Sequence, residues 1–475
     1  MIAALLGLIL PIGSTWMTLR ALGLRRASDS AAVTGGVACG LGLALAAVGT
    51  FLTLTLGGHL SRLYAGLDAA VWLLVGLAAW RVVRREAVVP SADRDARPAL
   101  DTLDWCVRAA FVAVALAALA VPVIEYWSSP NGQWDAWAIW NQKARFMSRA
   151  GPGWTASLAV TWSAPSHPMF VSLAVARLWA YAGAELTSVP AGLSLVYGIA
   201  LVALVVGALG TRSRRAWIAG AVVMAPFTFS HLVAAQTADL PLGLFVTASL
   251  VILRGAARDG WDDPRTVRTL ALAGLLGGCA ALTKNEGFVF LAASSVVVAW
   301  VALRHGRFSG AVWWGVAALP LAALMIWFKL SFPVGTAEYF SESQTHPGLA
   351  HRVLDVDRLR LLAALTGGFA WRWGGTMTVG ALLATTLAAI AGAVSREERA
   401  GLGMLWVVGV MVASYYAVWL LSPLDTAWLV GTTFDRLMAQ VWPTLVILAA
   451  SAGTARVAGS GKAEDGERMV SRRTA

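Results

Sequence analysis

The chain has 475 residues, few charged side chains and only three cysteines. Charged residues make up 13% of it, about half the share usual in soluble domains, and hydrophobic residues make up 58%. Apolar runs long enough to cross a bilayer recur along the whole length. The sequence therefore predicts an all-α integral membrane protein with many spans. The short alternating segments of a transmembrane β-barrel are lacking.

Several catalytic and metal-binding motifs are also missing. Cys39, Cys106 and Cys279 lie in or at the edge of apolar runs without metal-ligand spacing, so we interpret them as small core residues. There is no P-loop, Rossmann fingerprint, HExxH or CxxC motif. Nucleotide hydrolysis and a structural zinc site therefore have no support, and no metal ligand is assigned. A soluble nucleotide-sugar domain is lacking too, so a sugar donor would have to reach the site from the lipid phase.

Arginine clusters alternate with apolar runs in the way that the positive-inside rule describes. The net charge of +11 follows from these clusters and does not indicate a nucleic-acid surface. Placing the clusters in the cytoplasm gives a multi-pass protein of the inner (plasma) membrane, with its N-terminus outside and its C-terminus inside. The thirteen predicted spans are 3–19, 32–54, 64–82, 104–124, 189–210, 214–230, 238–254, 268–284, 286–303, 309–328, 375–394, 401–421 and 438–454.

One apolar stretch, 168–183, is left out of the spans. It has sixteen residues and carries Arg177. If it crossed the membrane, every later loop would change sides and the cluster Arg212, Arg214 and Arg215 would lie outside. We therefore interpret it as a juxtamembrane helix in the interface. Two long loops, 125–188 and 329–373, then share the outer face.

The predicted domain organisation has four parts, which are a three-helix membrane unit, a cytoplasmic linker, the main membrane domain with both outer loops, and a disordered cytoplasmic tail. Their ranges are 1–85, 86–103, 104–455 and 456–475.

The first outer loop combines three kinds of functional side chain. Asp135 lies between Trp134 and Trp137, and Lys143 follows closely. A carboxylate serves acid–base chemistry, aromatic faces bind sugars or lipid headgroups, and a lysine suits a phosphate. Alternatively, Asp135 pairs with Lys143 or Arg145 and orders the loop, and the tryptophans form an interfacial aromatic belt.

The same topology brings further ionisable residues to the outer face, namely His167, Asp239, Lys284, Glu286 and Arg436. Such groups are costly near membrane depth and indicate functional sites. Three of the chain's four lysines map to this face, which suits a phosphate-bearing ligand. Each residue also has a structural alternative. His167 would cap the helix that follows it, Asp239 would be an N-cap, and Lys284 with Glu286 would form a polar turn.

These segments resemble membrane glycosyltransferases of the GT-C superfamily, around family 39, which includes protein O-mannosyltransferases and lipid A aminoarabinose transferases. The resemblance is carried by residues 134–146, 166–168, 238–242, 281–287 and 435–443. It implies a GT-C-like helical fold, a polyprenyl-phosphate-sugar donor, an extracytoplasmic acceptor and surrounding membrane lipids.

The resemblance also implies residue roles. The essential carboxylate of the first outer loop falls on Asp135, and the cation near the donor phosphate falls on Lys284, with Lys143 and Arg436 as further candidates. Two features depart from the family pattern. Three additional spans precede the loop, and the motif has a single Asp where some relatives carry a paired acidic motif. The second departure leaves dependence on a divalent metal open.

We therefore expect a hexosyltransferase of the cell envelope, mannosyltransferase-like, which transfers a sugar from a polyprenyl-phosphate carrier to a glycan, lipid or protein. Asp135 would be catalytic, and Lys284→Ala would weaken donor binding more than folding. The alternatives are a transporter or flippase of lipid-linked sugars, which needs a polar path at the midplane, and a structural subunit of an envelope complex. The mid-span positions are nearly free of charge, which favours the enzyme. The expected substrate-binding residues are Trp134, Trp137, Lys143, His167, Asp239, Lys284, Glu286 and Arg436.

Overall fold

The computed structural model describes residues 2–23, 31–86, 100–160, 164–259, 264–306, 308–332, 348–373, 380–394 and 399–451, and every regular element in these ranges is helical. A π-helical turn, Ala136–Trp140, and a 3-10 helix, Gly151–Ala159, accompany the α-helices. The α-helices are α1 Ile2–Ala21, α2 Ala31–Thr55, α3 Arg62–Glu86, α4 Thr102–Ser128, α5 Asn141–Ala150, α6 Phe170–Ala182, α7 Ser188–Ala208, α8 Arg214–Met224, α9 Phe227–Ala235, α10 Asp239–Asp259, α11 Pro264–Thr283, α12 Glu286–His305, α13 Ser309–Ser331, α14 Leu349–Leu354, α15 Val356–Trp371, α16 Ala381–Val394, α17 Arg399–Leu421 and α18 Thr426–Ser451.

Within the described ranges, ten helices are long and apolar enough to cross a membrane, namely α1–α4, α7, α10–α13 and α17. A helix suits a bilayer because it satisfies its backbone polar groups internally. The broken pair α8 and α9, bent by 62°, would raise the number to 11 if it were one span. The prediction of a multi-pass helical membrane protein is thus confirmed, whereas the count of thirteen is not.

The remaining predicted spans differ from the helices that the structure shows. The predicted span 214–230 is interrupted between α8 and α9, where Pro226 precedes the second helix with an extended backbone. α16 has only 14 described residues. The predicted span 438–454 is the second half of α18, a helix that already begins at Thr426. Asp435 and Arg436 therefore lie inside a helix instead of in a loop between spans.

The helix α6 is enclosed by protein. Eleven of its 13 residues are buried, from Phe170 to Ala180. It packs against α1, α2, α3, α5 and α7. Its buried Arg177 pairs with Asp68 of α3 and donates to the carbonyl oxygen of Gly7 in α1. α6 therefore lacks the exposed polar face of an interfacial helix, because it buries almost its whole circumference against other helices.

Small residues allow α11 and α13 to pack closely together. A Cβ atom on Gly274 of α11 would lie 2.1 Å from the carbonyl oxygen of Trp314 in α13. At Gly278, one turn later, it would lie 3.0 Å from the carbonyl oxygen of Ala318. This spacing of two glycines four residues apart is typical of tightly packed membrane helices.

Some sequence predictions concern residues outside the described ranges. They are most of the linker 86–103, part of the loop 329–373 and the tail 456–475. One prediction about a described residue is wrong. Cys106 is exposed on α4, while Cys39 and Cys279 are buried as expected.

Candidate functional site

A chain of ion pairs joins four segments at one end of the helix bundle. These segments are the residues just before the π-helical turn, the start of α10, the turn between α11 and α12, and α18. They contribute Asp135, Asp239, Lys284, Glu286 and Arg436. The sequence predicted that these residues lie together, and the structure brings all five into one network.

Asp239 is the centre of this network and is 1% exposed. Its Oδ1 accepts hydrogen bonds from Lys284 Nζ at 2.8 Å and from Gln440 Nε2 at 2.7 Å. Its Oδ2 accepts from Arg436 Nε at 3.1 Å. A buried carboxylate needs such partners, because an unpaired charge away from water is very costly. The side chain therefore serves this network and does not act as an N-cap.

The turn between α11 and α12 places two charges beside Asp239. Lys284 Nζ lies 3.0 Å from Glu286 Oε1, and Lys284 is only 5% exposed. The turn is tight because Gly287 packs on the end of α11, where a Cβ atom would lie 1.9 Å from the carbonyl oxygen of Ala280. Lys284 and Glu286 thus lie in a tight turn, as the polar-turn alternative predicted for the backbone. Lys284 is nevertheless buried in the network instead of facing water, while the side chain of Glu286 is 22% exposed.

Asp135 joins the network through Arg436, whose Nη2 lies 2.6 Å from Asp135 Oδ2. The alternative that Asp135 pairs with Lys143 or Arg145 is wrong. Arg145 instead donates to Asn131 Oδ1 and contacts Glu185. The side chains of Asp135 and Arg436 are 22% and 26% exposed, so this end of the network can be reached by a ligand.

Two exposed tryptophans lie close to Asp135 in the sequence. Trp134 and Trp137 are 55% and 41% exposed, and their ring centroids lie 4.6 Å apart in an edge-to-face arrangement. The loop before them is fixed against α9, because the Gln133 N–H donates to the carbonyl oxygen of Ala235 at 3.4 Å. The exposed rings next to a carboxylate are suited to stacking on a sugar.

Two lysines hold the turn that contains His167. Lys143 Nζ donates to the carbonyl oxygen of Ala164 at 2.7 Å, and Lys329 Nζ donates to that of Ser166 at 2.8 Å. Lys329 Nζ also donates to Asn285 Oδ1 at 2.8 Å, which links this turn to the neighbour of Lys284.

His167 lies beside Trp140, with 5.8 Å between ring centroids, and does not cap α6, whose N-cap position is Met169. Burial and the nearby cations, Lys284 and Lys143 foremost, hold the pKa of His167 well below its usual value. Burial and the charge of Lys329 lower the pKa of Lys143 from 10.5 to about 7. Both pKa values are lowered because these groups are buried and other positive charges lie close to them.

Sequence reasoning missed several members of the site. Lys329 was noted only as one of the rare lysines, and that rarity was a usable signal. Gln440 and Tyr415 gave weaker signals as polar residues within apolar helices. Tyr415 donates to Gln440 Oε1 at 2.8 Å, and Gln440 in turn donates to Asp239. Tyr415 therefore orients the Gln440 amide, which donates a hydrogen bond to the buried Asp239.

An apolar cavity of about 400 Å³ lies between α4, α7, α8 and α9. One end is lined by Phe229 and Val233 of α9, the helix whose last residue, Ala235, holds the loop before Asp135. At the other end are Thr211 and Trp217. α4, which closes one side, has no buried residue of its own. The cavity is therefore an apolar space beside a lightly packed helix, and one of its ends is lined by the helix that holds the loop before Asp135.

Among the described residues, no group of three or more His, Cys, Asp or Glu side chains is arranged to hold a metal ion. Comparison of the chain with family models, with curated proteins and with solved structures gave no match. The resemblance to GT-C glycosyltransferases therefore rests on the quoted residues alone and remains an expectation.

Proposed function

We propose that the protein is a membrane glycosyltransferase that moves a sugar from a polyprenyl-phosphate carrier to an extracytoplasmic glycan, lipid or protein. The observation that carries the proposal is the position of Asp135. Its carboxylate is partly exposed, is held by Arg436 at 2.6 Å, and belongs to a segment in which the sequence neighbours Trp134 and Trp137 are exposed. A positioned carboxylate next to aromatic faces suits the activation of a sugar hydroxyl.

The proposed reaction is a direct displacement at the anomeric carbon. The acceptor oxygen forms a bond to that carbon while the bond from the carbon to the phosphate oxygen breaks. Asp135 takes the proton of the acceptor hydroxyl, and the bonding electrons leave with the polyprenyl phosphate. Cationic side chains at the same end of the bundle stabilise the charge that develops on the phosphate.

The apolar cavity supports a lipid-linked donor over a soluble one. Its volume of about 400 Å³ and its apolar lining suit part of a hydrocarbon chain. The end at Phe229 and Val233 lies on the helix that holds the loop before Asp135. A prenyl chain in this cavity would have its phosphate on the side of the ion-pair network.

The distribution of charge favours transfer over transport of lipid-linked sugars. The network lies where α10 and α12 begin and where α11 ends, so its charges are concentrated at one end of the bundle. A transporter is expected to present polar groups near the midplane, often on broken helices. The broken pair of α8 and α9 lines the cavity with apolar side chains, namely Trp217, Met224, Phe229 and Val233.

The proposal is tested with purified protein in liposomes that contain a labelled polyprenyl-phosphate sugar. We expect labelled sugar on an added extract of envelope glycans and glycoproteins, detected by mass spectrometry. Movement of the labelled lipid between leaflets without any transfer would contradict the proposal and support a flippase. Comparison of envelope glycans from cells with and without the gene identifies the acceptor.

A further inference from the structure

The charges at the site are not balanced by charges of opposite sign. Four cations converge on His167, namely Lys143, Lys284, Lys329 and Arg436. Lys284 contacts Asp239 and Glu286, and Arg436 contacts Asp135 and Asp239. Lys143 and Lys329, by contrast, form no ion pair with any carboxylate in the described part of the chain, and their hydrogen bonds go to neutral oxygens.

These two lysines have unused N–H donors, and ring nitrogens without a hydrogen-bond partner lie beside them. An ammonium group has three N–H donors. Lys143 uses one of them, for Ala164, and Lys329 uses two, for Ser166 and Asn285. The indole Nε1 of Trp140 is buried without a hydrogen-bond partner, and so is Nδ1 of His167. Buried polar atoms without partners are uncommon in folded proteins and need a specific explanation.

The two ammonium groups and the ring nitrogens of Trp140 and His167 lie in the same part of the structure. Lys143 and Lys329 reach carbonyl oxygens two residues apart in the turn before His167. Lys143 Nζ lies 5.9 Å from the ring centroid of Trp140, whose ring in turn lies 5.8 Å from that of His167. Lys143 is 0% exposed, so its charge is kept from water, and a positive charge in such a place is unfavourable without an anion.

We propose that Lys143, Lys329, Trp140 and His167 form a binding site for a phosphoryl group. The site is distinct from the ion-pair network, whose cations are already compensated by carboxylates. Lysine is a suitable phosphate ligand because its ammonium group is a compact charge with several donors. The resemblance implied Lys284 as the cation near the phosphate, with Lys143 and Arg436 as further candidates. Of these three, Lys143 has no carboxylate partner in the described residues, and Lys329 joins it.

This inference does not need glycosyl transfer to be correct. A free phosphate ion and the headgroup of a prenyl phosphate carry the same phosphoryl oxygens, so both are ligands of the proposed site. Only the identification of the ligand as the donor's phosphate rests on the proposed function. Binding is therefore measured without an acceptor and without any transfer reaction.

The experiment uses the full-length protein in detergent micelles, titrated with inorganic phosphate and separately with farnesyl phosphate, by calorimetry. We expect saturable binding of both probes, and at least about a tenfold loss of affinity in Lys143→Met and in Lys329→Met, because each removes a charge-assisted contact. Lys462→Met is the matched control, since it removes a lysine of the tail. Tighter binding of farnesyl phosphate would identify a lipid headgroup, and equal binding would identify the free ion.

Three results would overturn the proposal. They are no saturable binding of either probe to the wild-type protein, unchanged affinity in both lysine variants, or an equal loss of affinity in Lys462→Met. Elution profile and thermal unfolding show which variants are folded. If Lys143→Met does not fold, the affinities of Lys329→Met and Trp140→Phe test the proposal instead. Lys329 is only half-buried, so its replacement should be tolerated. Phenylalanine at position 140 keeps the aromatic packing and removes the indole donor. Phosphate binding without sugar transfer would support this site and contradict the proposed function.

Discussion

Asp135 is held by Arg436 at 2.6 Å, and the same guanidinium donates through Nε to the buried Asp239 at 3.1 Å. Asp239 is also bound by Lys284 and Gln440, so its position is fixed from three directions. The partly exposed carboxylate is therefore attached to a rigid, buried network. A catalytic group needs such support, because its geometry must be held within a fraction of an ångström.

The first prediction concerns Asp135. We expect Asp135→Asn to lower sugar transfer by at least about a hundredfold, because the amide keeps the shape of the side chain but cannot accept the proton. The measurement is transfer from a polyprenyl-phosphate sugar in liposomes. Asp357→Asn is the matched control, since that carboxylate is 91% exposed and pairs only with Arg360. Near-full transfer by Asp135→Asn would rule out Asp135 as the base.

A second prediction concerns Lys284, for which the structure changes the expectation from the sequence. Because Lys284 is buried between Asp239 and Glu286, we expect Lys284→Met to destabilise the fold by about 3 kcal/mol. The second change in Lys284→Met/Asp239→Asn removes a buried negative charge that has lost one of its two cationic partners, since Arg436 remains, and should recover part of this loss. Thermal unfolding in detergent ranks the stabilities of the wild-type protein, Lys284→Met and Lys284→Met/Asp239→Asn. An unchanged unfolding temperature in the single variant would contradict the structural role.

A third prediction follows from the close approach at Gly287. We expect Gly287→Ala to destabilise the protein by at least about 2 kcal/mol, because its Cβ atom would lie 1.9 Å from the carbonyl oxygen of Ala280. Gly315→Ala in α13 is the control, since its Cβ atom would have no atom within 4 Å and alanine favours a helix. Equal unfolding temperatures for the two variants would show that the turn relaxes easily.

A fourth prediction concerns pH. Burial and Lys329 lower the pKa of Lys143 to about 7, from 10.5. Between these two values the unfolded chain keeps a proton that the folded protein has lost, so this group makes stability rise with pH. Below pH 7 both states carry the charge and the fold bears the full penalty. We expect the unfolding temperature of the wild-type protein, relative to that of Lys143→Met, to rise from pH 7 to pH 9. A difference in unfolding temperature that does not vary with pH would exclude a lowered pKa of Lys143.

A fifth prediction concerns sidedness. We expect a single cysteine at position 153, in a cysteine-free protein, to react with a membrane-impermeant reagent in intact cells. Gly153 is exposed in the 3-10 helix that follows α5, at the end of the bundle that carries the site. A cysteine at position 211, between α7 and α8, should react only after lysis. The reverse pattern would place the site in the cytoplasm and exclude an extracytoplasmic acceptor.

Local sequence was sufficient for most of the long apolar helices and of the site residues, but not for the break between α8 and α9 or for the start of α18. Long apolar runs specify membrane helices because no other backbone arrangement in such a run satisfies its hydrogen bonds in lipid. Asp135, Asp239, Lys284, Glu286 and Arg436 could be selected from the sequence because charge near membrane depth is costly.

The pairing of these charges depended on tertiary structure. Arg436 reaches Asp135 only because α18 begins at Thr426 and carries Arg436 within the helix, towards α10. The spacing of residues in the sequence contains no information about that contact. Lys143 and Lys329 each face a carbonyl oxygen instead of a carboxylate for the same reason. Composition and periodicity therefore determined that the chain is helical with many apolar helices of membrane-spanning length, while the packing of distant helices decided which charges are paired.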